Sequence, residues 1–237
     1  MIPKSIISRF KNKLTFAYKP AAITNKNVTL CFIPGFRSDF ESSKKSSLVY
    51  EYAQEHGLGF LAWNHGETGS VVDWCRDGLE LVQSCQLKDH YYIGASMGLW
   101  ISLVLAEKTS PKGILGIGGG VDFTERWLKE VNVFDRNYIW RRPSAYDVKG
   151  YYEIPVSFLI DSRPALINKV KLVDCPVYLI HGSLDTDVTI EHARELSHYL
   201  SSFVATVSLD EISDGDHRLS RSQDLESIRH KIKLMMD

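Results

Sequence analysis

From residue 27 onward, short apolar runs alternate with segments whose apolar positions recur at helical spacing. NVTLCFIPGF is a β-favouring run that breaks at Pro34 and Gly35, and SSLVYEYAQEHG is a helical pattern stopped by Gly57. LGFLAWNHG follows as a strand. VVDWCRDGLELVQSC places Val72, Cys75, Leu79 and Val82 on one helical face. HYYIGASM, KGILGIGGG, CPVYLIHG and ATVSLDEIS are further strands. Between and after them, LWISLVLAEK, TIEHARELSHYL and a C-terminal segment read as helices. TIEHARELSHYL turns Ala193, Leu196 and Leu200 inward. The C-terminal helix carries Leu225, Ile228, Ile232 and Met235 on one stripe, with Ser220 and Gln223 at capping-box spacing. Such alternation predicts an α/β chain with a mostly parallel twisted sheet and helices on both faces. The whole of 1–237 reads as one domain.

Residues 121–170 break the rhythm. They follow a strand without soon returning to one, and hold Phe123, Trp127, Phe134, Tyr138, Trp140, Tyr146, Tyr151, Tyr152 and Phe158. That aromatic density predicts a short helical cap inserted over a pocket at the carboxyl ends of the strands. The alternative is an ordinary excursion packed on the sheet edge.

Composition narrows the function classes. Hydrophobic residues make up 44% and charged residues 24%, as in a soluble globular protein. A net charge of −1 argues against a general nucleic-acid binder. No apolar run is long enough to span a bilayer, so no stable membrane insertion is expected. MIPKSIISRF lacks the apolar core and cleavage site of a secretory signal. Seven Lys and Arg residues precede the first carboxylate, Asp39. The expected form is a solvated hairpin of SIISRF and KLTFAYKP, with a membrane-facing arm or an organelle presequence as alternatives. Cys31, Cys75, Cys85 and Cys175 show no CxxC spacing. They predict free thiols in a reducing compartment, cytoplasmic or an organelle matrix, and no zinc site.

The candidate chemistry lies in GASMG. Ser96 stands between Gly94 and Gly98 at a strand-to-helix junction. That is the arrangement of a nucleophile elbow, although a glycine-rich turn with a capping serine would read similarly. A serine hydroxyl needs a base, and the base needs an orienting acid, in the order Ser, Asp or Glu, His along the chain. SLDTDV follows one later strand and DGDHRLS the last. Asp185 and His217 therefore complete a candidate triad. Asp187 competes for the acid role, and His65 in WNHGETGS is a weaker candidate base. Asp214 and Asp216 read as turn formers, and His181 as a structural residue.

PGFRSD, WNHGETGS, GASMG, HGSLDTDV and DGDHRLS, in that order, resemble the α/β-hydrolase superfamily across most of the chain. WRRPSAYDVKGYYEIPVSFLID followed by CPVYLIHG is similar to the small palmitoyl-protein thioesterases and acyl-glucuronide esterases and their bacterial relatives. The resemblance implies Ser96 as nucleophile, Asp185 as acid and His217 as base. It also implies an oxyanion hole from the N–H groups of Phe36 and Met97. Many relatives have His-Gly where this chain has Pro34-Gly35, a change that leaves the backbone donor in place. Arg37 has no role that the resemblance assigns; it reads as one half of an exposed salt bridge, with steering of an anionic substrate as the alternative. The implied reaction is hydrolysis of an ester or thioester, of a small molecule or an acylated protein, with no cofactor and no metal. Trp100 is expected to extend the apolar wall. The rivals are a lyase or cofactor-free oxygenase on the same fold, a membrane-bound lipase, and a binding protein that keeps the pocket without catalysis.

Overall fold

A computed structural model describes the chain except residues 12, 23–26, 146, 173–174 and 237. Tyr146, one of the predicted cap aromatics, thus lies outside the described residues. The strands are β1 (Ile7–Phe10), β2 (Leu14–Lys19), β3 (Val28–Ile33), β4 (Gly59–Trp63), β5 (Asp89–Ala95) and β6 (Gly113–Ile117). β7 (Ile139–Pro143), β8 (Tyr151–Pro155), β9 (Val177–Gly182) and β10 (Val207–Ile212) complete them. The helices are α1 (Lys44–Glu55), α2 (Val71–Ser84), α3 (Met97–Thr109), α4 (Phe123–Val131), α5 (Val156–Asp161), α6 (Ile190–Ser201) and α7 (Ser222–Met236).

Eight strands form one sheet in the order β1-β2-β4-β3-β5-β6-β9-β10. From β4 to β10 every pairing is parallel, while β1 and β2 add an antiparallel edge. Period-two alternation sends neighbouring side chains to opposite faces. On β3, Leu30 and Phe32 join the core under α1 and α7, whereas Cys31 and Ile33 join the core under α2 and α3. α3 is apolar nearly all round and buried accordingly, from Met97 through Leu103. The strand before it and the helix itself form the rigid base of the site.

The predicted N-terminal hairpin is present as β1 and β2. Its basic residues dock on α2, with Lys11 2.9 Å from Glu80 and Lys13 3.6 Å from Asp77. Among the described residues, no helix is long and apolar enough to cross a membrane. Among the described residues, Cys31, Cys75, Cys85 and Cys175 form no disulfide.

Three local expectations are corrected. On α2 the buried stripe is Val71, Trp74, Cys75, Gly78, Leu81 and Val82. Val72 and Leu79 are only half-buried, because Trp74 takes the inward position and rotates the stripe. At α7, Ser220 Oγ donates to the Arg218 carbonyl and Gln223 Nε2 to Asp214. Asp224 instead accepts the Arg221 N–H, so the carboxylate does the capping. The segment between β6 and β9 is also not helical throughout: β7 and β8 pair as a separate antiparallel hairpin between α4 and α5.

Candidate active site

Ser96 joins β5 to α3 with φ 51° and ψ −120°, a backbone region that side-chain-bearing residues avoid. The flanking glycines are there for lack of space. A Cβ on Gly94 would lie 2.3 Å from the Gly98 carbonyl carbon, and one on Gly98 would lie 2.1 Å from the Ile33 oxygen. The Ser96 N–H donates to the Ile117 carbonyl at 2.9 Å and ties the turn to β6. Met97 opens α3, so its N–H is among the donors the helix itself cannot satisfy. The loop after β3 reaches the same point: a Cβ on Gly35 would be 3.1 Å from Ser96 Cβ. The backbone of Phe36 follows directly.

Asp185 follows β9, and its side chain is fully buried. Its Oδ1 accepts the N–H groups of Asp187 and Val188, both at 2.9 Å. Its Oδ2 takes His217 Nδ1 at 2.7 Å and lies 3.2 Å from His181 Nε2. Burial pushes the carboxyl's pKa up, but the bonds from His181, His217 and Val188 outweigh it and hold it well below the usual carboxylate range. An ionised carboxylate only accepts, so His217 carries a proton on Nδ1 in this bond. His217 sits on the loop after β10. That loop passes close over the strand ends, where a Cβ on Gly182 would be 2.3 Å from the Gly215 oxygen.

Asp187 is exposed and lines the cavity beside Ser96. Its carboxylate, Asp185 and His217 lie within 4.8 Å of one another, a spacing that could hold a metal ion. Both Asp185 oxygens are already taken by N–H donors, however, so this set suits an orienting acid better than a ligand. His181 is structural, as expected, and what it holds is the Asp185 loop, a contact the sequence alone does not specify. Its Nε2 also contacts the Val188 carbonyl at 2.7 Å, so it braces the acid loop from behind. The signal was its place four residues before Asp185.

Ser96, Met97, Phe36 and His217 line one cavity of about 590 Å³ with Phe123 and Trp127. His65 faces a neighbouring cavity instead. It stacks on Trp74, its Nε2 contacts the Pro34 carbonyl at 2.9 Å, and burial pushes its pKa down to about 4. Asp214 pairs with Arg221 and Asp216 accepts the Leu219 N–H, as turn residues do. Arg37 forms no ion pair among the described residues. It donates to the Glu153 carbonyl and lies over the rings of Phe36 and Tyr152. Trp100 is not on the cavity wall. It is fully buried behind Phe123 and donates to the Ala165 carbonyl at 2.7 Å.

The segment after β6 supplies much of the wall. The Phe36 ring packs against Phe123, Trp127, Tyr152 and Phe158, with centroids 5.5–5.8 Å away, and against Trp74. Phe134 and Tyr138, in contrast, point into solvent.

No family model matches the chain. It is 26% identical over 253 residues to the palmitoyl-protein thioesterase ABHD10, mitochondrial, of Rattus norvegicus, covering 97% of this chain and 84% of that protein. The Homo sapiens protein of that name is 22% identical, over 97% of this chain and 82% of its own. Among solved structures, alpha/beta hydrolase domain-containing protein 10 from mouse superimposes with a TM-score of 0.80 at 22% identity, over 98% of this chain and 97% of that one. Est1E from Butyrivibrio proteoclasticus gives a TM-score of 0.77 at 18% identity, over 97% and 96%. With a mostly parallel eight-stranded sheet and a strained serine at the β5–α3 turn, the chain has the α/β-hydrolase fold and is similar in sequence to proteins named palmitoyl-protein thioesterase.

Proposed function

We propose that this protein is a serine hydrolase that cleaves carboxylic esters or thioesters of acyl substrates, whether small molecules or acylated proteins. The observation that carries the reading is the 2.7 Å bond between His217 Nδ1 and the buried carboxyl of Asp185, beside a cavity that also holds Ser96 at its strained turn. The names of the rat and human relatives point the same way.

In this scheme His217 Nε2 takes the Ser96 proton as Oγ attacks the acyl carbonyl carbon. Asp185 fixes the tautomer and stabilises the imidazolium. Negative charge on the carbonyl oxygen is met by the Phe36 and Met97 N–H groups, each worth roughly 3–4 kcal/mol by analogy with other oxyanion holes. The imidazolium gives its proton to the departing alcohol or thiol. Water, deprotonated by the same nitrogen, then frees the acid and restores Ser96. Every group in this sequence belongs to the chain. Residues 121–170 act as the cap, and Phe36, Phe123, Trp127 and Tyr152 form the wall against which the acyl chain lies.

Ser96→Ala tests the reading. It should abolish labelling by a fluorophosphonate and lower kcat for a nitrophenyl octanoate by about 10³-fold or more. Wild-type turnover in a pure Ser96→Ala preparation overturns it.

A further inference from the structure

The loop after β3 turns where it meets Ser96. The Ser38 N–H donates to the Gly35 carbonyl at 3.2 Å, so Phe36 and Arg37 are the two central residues of that turn. Arg37 has φ 51°. A positive φ at the second central position is the geometry of a type II turn, whose usual occupant there is glycine or asparagine. A residue with a longer side chain is strained at such a φ and persists only where its surroundings hold it.

What holds Arg37 is the β7–β8 hairpin. Its Nη2 donates to the Glu153 carbonyl on β8, 116 residues away along the chain. The guanidinium lies over two rings, 5.3 Å from the centroid of Tyr152 and 5.6 Å from that of Phe36. Those rings meet edge to face at 5.7 Å. The hairpin is itself anchored: Ile154 is buried, and the Val156 N–H donates to the Tyr138 carbonyl at 2.9 Å. A charged donor on a carbonyl, stacked on aromatic faces, binds more strongly than a neutral contact. Glycine or asparagine would suit the turn and reach none of these partners. Arginine here sacrifices the local backbone preference for a fastening across the chain.

The fastened turn rests on the nucleophile. A Cβ on Gly35 would be 3.1 Å from Ser96 Cβ and 3.3 Å from the Ala95 carbonyl oxygen. Between that glycine and Arg37 stands Phe36, whose N–H is assigned to the oxyanion in the proposed scheme. Such a donor is effective only when fixed at the point where charge develops. Were Arg37 released, its φ would relax to negative values and turn the peptide that joins it to Phe36.

We propose that Arg37 is a positioning residue for the reaction: it latches the turn after β3 to the β7–β8 hairpin and so keeps the Phe36 N–H at the oxyanion. This rests on the esterase or thioesterase reading above. Arg37→Ala removes the latch and leaves the strain, whereas Arg37→Gly removes both. Deleting an oxyanion donor costs about 10²–10³ in kcat, so displacing one should cost less, about ten-fold for nitrophenyl octanoate in Arg37→Ala, with KM within about two-fold. Two ketones separate positioning from substrate binding. Ser96 Oγ adds to the carbonyl carbon of heptyl trifluoromethyl ketone, its proton passes to His217, and the ketone oxygen becomes the oxyanion. Heptyl methyl ketone binds without that addition. In Arg37→Ala the inhibition constant of the first should rise about ten-fold and that of the second should stay. Equal rises in both, or a higher KM with kcat unchanged, would make Arg37 a substrate contact and overturn the proposal. So would kcat within about two-fold of wild type in both Arg37→Ala and Arg37→Gly. If Arg37→Ala does not fold, Arg37→Gly, which suits the turn, takes its place in each comparison.

Hydrogen exchange reads the latch without turnover. In Arg37→Gly the amides of Ser38 and of β8 should exchange about five-fold faster or more, while those of α6 stay unchanged. Unchanged exchange at either segment overturns the latch, whatever the activity. A wild-type protein that neither cleaves the ester nor prefers the trifluoromethyl ketone would instead refute the hydrolase reading, and the exchange measurement would still decide the latch.

Discussion

Replacing Asp185 by Asn is the sharpest probe of the site, because the structure assigns a partner to each oxygen. Oδ1 holds two backbone N–H groups at 2.9 Å, and Oδ2 faces two imidazoles at 2.7 and 3.2 Å. An amide has only one oxygen. If that oxygen keeps the backbone donors, the NH₂ faces His217 Nδ1, which must then accept. The imidazole proton moves to Nε2, the nitrogen that takes the Ser96 proton in the proposed scheme. By comparison with other serine triads, kcat should fall by about 10⁴, or about 5.5 kcal/mol of barrier. If the amide turns the other way, two buried N–H groups lose their acceptor at about 1–3 kcal/mol each, and the loss appears in the melting temperature instead. Asp187→Asn is the control. Its carboxylate is exposed and within 4.8 Å of the His217 ring nitrogen. In water-like surroundings that is about 1 kcal/mol of attraction to the imidazolium, or roughly five-fold in rate. The assay is kcat and KM for a nitrophenyl octanoate, with a thermal melt of each variant. Equal rate losses at 185 and 187, or an Asp185→Asn protein with both rate and melting temperature unchanged, would refute the assignment.

Three further outcomes follow from the same geometry. Burial lowers the pKa of His65 to about 4, so between pH 6.5 and 4 the unfolded chain binds a proton that the folded chain refuses; stability must fall as pH falls through that window. His65→Phe, which keeps a ring against Trp74, should flatten that slope in urea melts, and an unchanged slope would show that other groups set it. Gly98→Ala places a methyl 2.1 Å from the Ile33 carbonyl and should cost several kcal/mol or prevent soluble expression; near wild-type melting would mean that the elbow relaxes freely. Along acyl thioesters of two to sixteen carbons, kcat/KM should rise several-fold per methylene until the cavity is filled, at about 0.8 kcal/mol of transfer each. A steady decline after the shortest chains would remove the acyl wall and leave the triad reading intact.

Much of this was legible in the sequence because it depends on local patterns. The strand-helix alternation gave the sheet and its covering helices, and GASMG placed Ser96 at the turn that the backbone confirms. The order of HGSLDTDV and DGDHRLS was enough to nominate Asp185 and His217, which the fold then brings within hydrogen-bonding distance. What remained hidden depends on tertiary packing. Trp100 has the right spacing for a cavity wall, but Phe123 from a later segment covers it. Arg37 looked like half of a surface salt bridge because its partner is a carbonyl on β8, more than a hundred residues away. The β7–β8 hairpin was missed because its short strands carry Arg, Glu and Pro among the aromatics, with no clean alternation to read. His181 looked structural and is, yet what it supports is the acid loop itself.

Phe36 joins the two halves of the site. Its backbone adjoins the glycine that touches Ser96, while its ring meets four aromatic side chains of the segment after β6, and Trp74. A close-packed ring cannot shift without its backbone or its neighbours moving too. The side chains that shape the acyl wall therefore also fix the loop whose N–H is assigned to the oxyanion. Changes at Trp127 or Tyr152 should for that reason alter kcat as well as chain-length preference. Under the proposed reaction, binding of the acyl chain and stabilisation of the transition state would be coupled through this one ring.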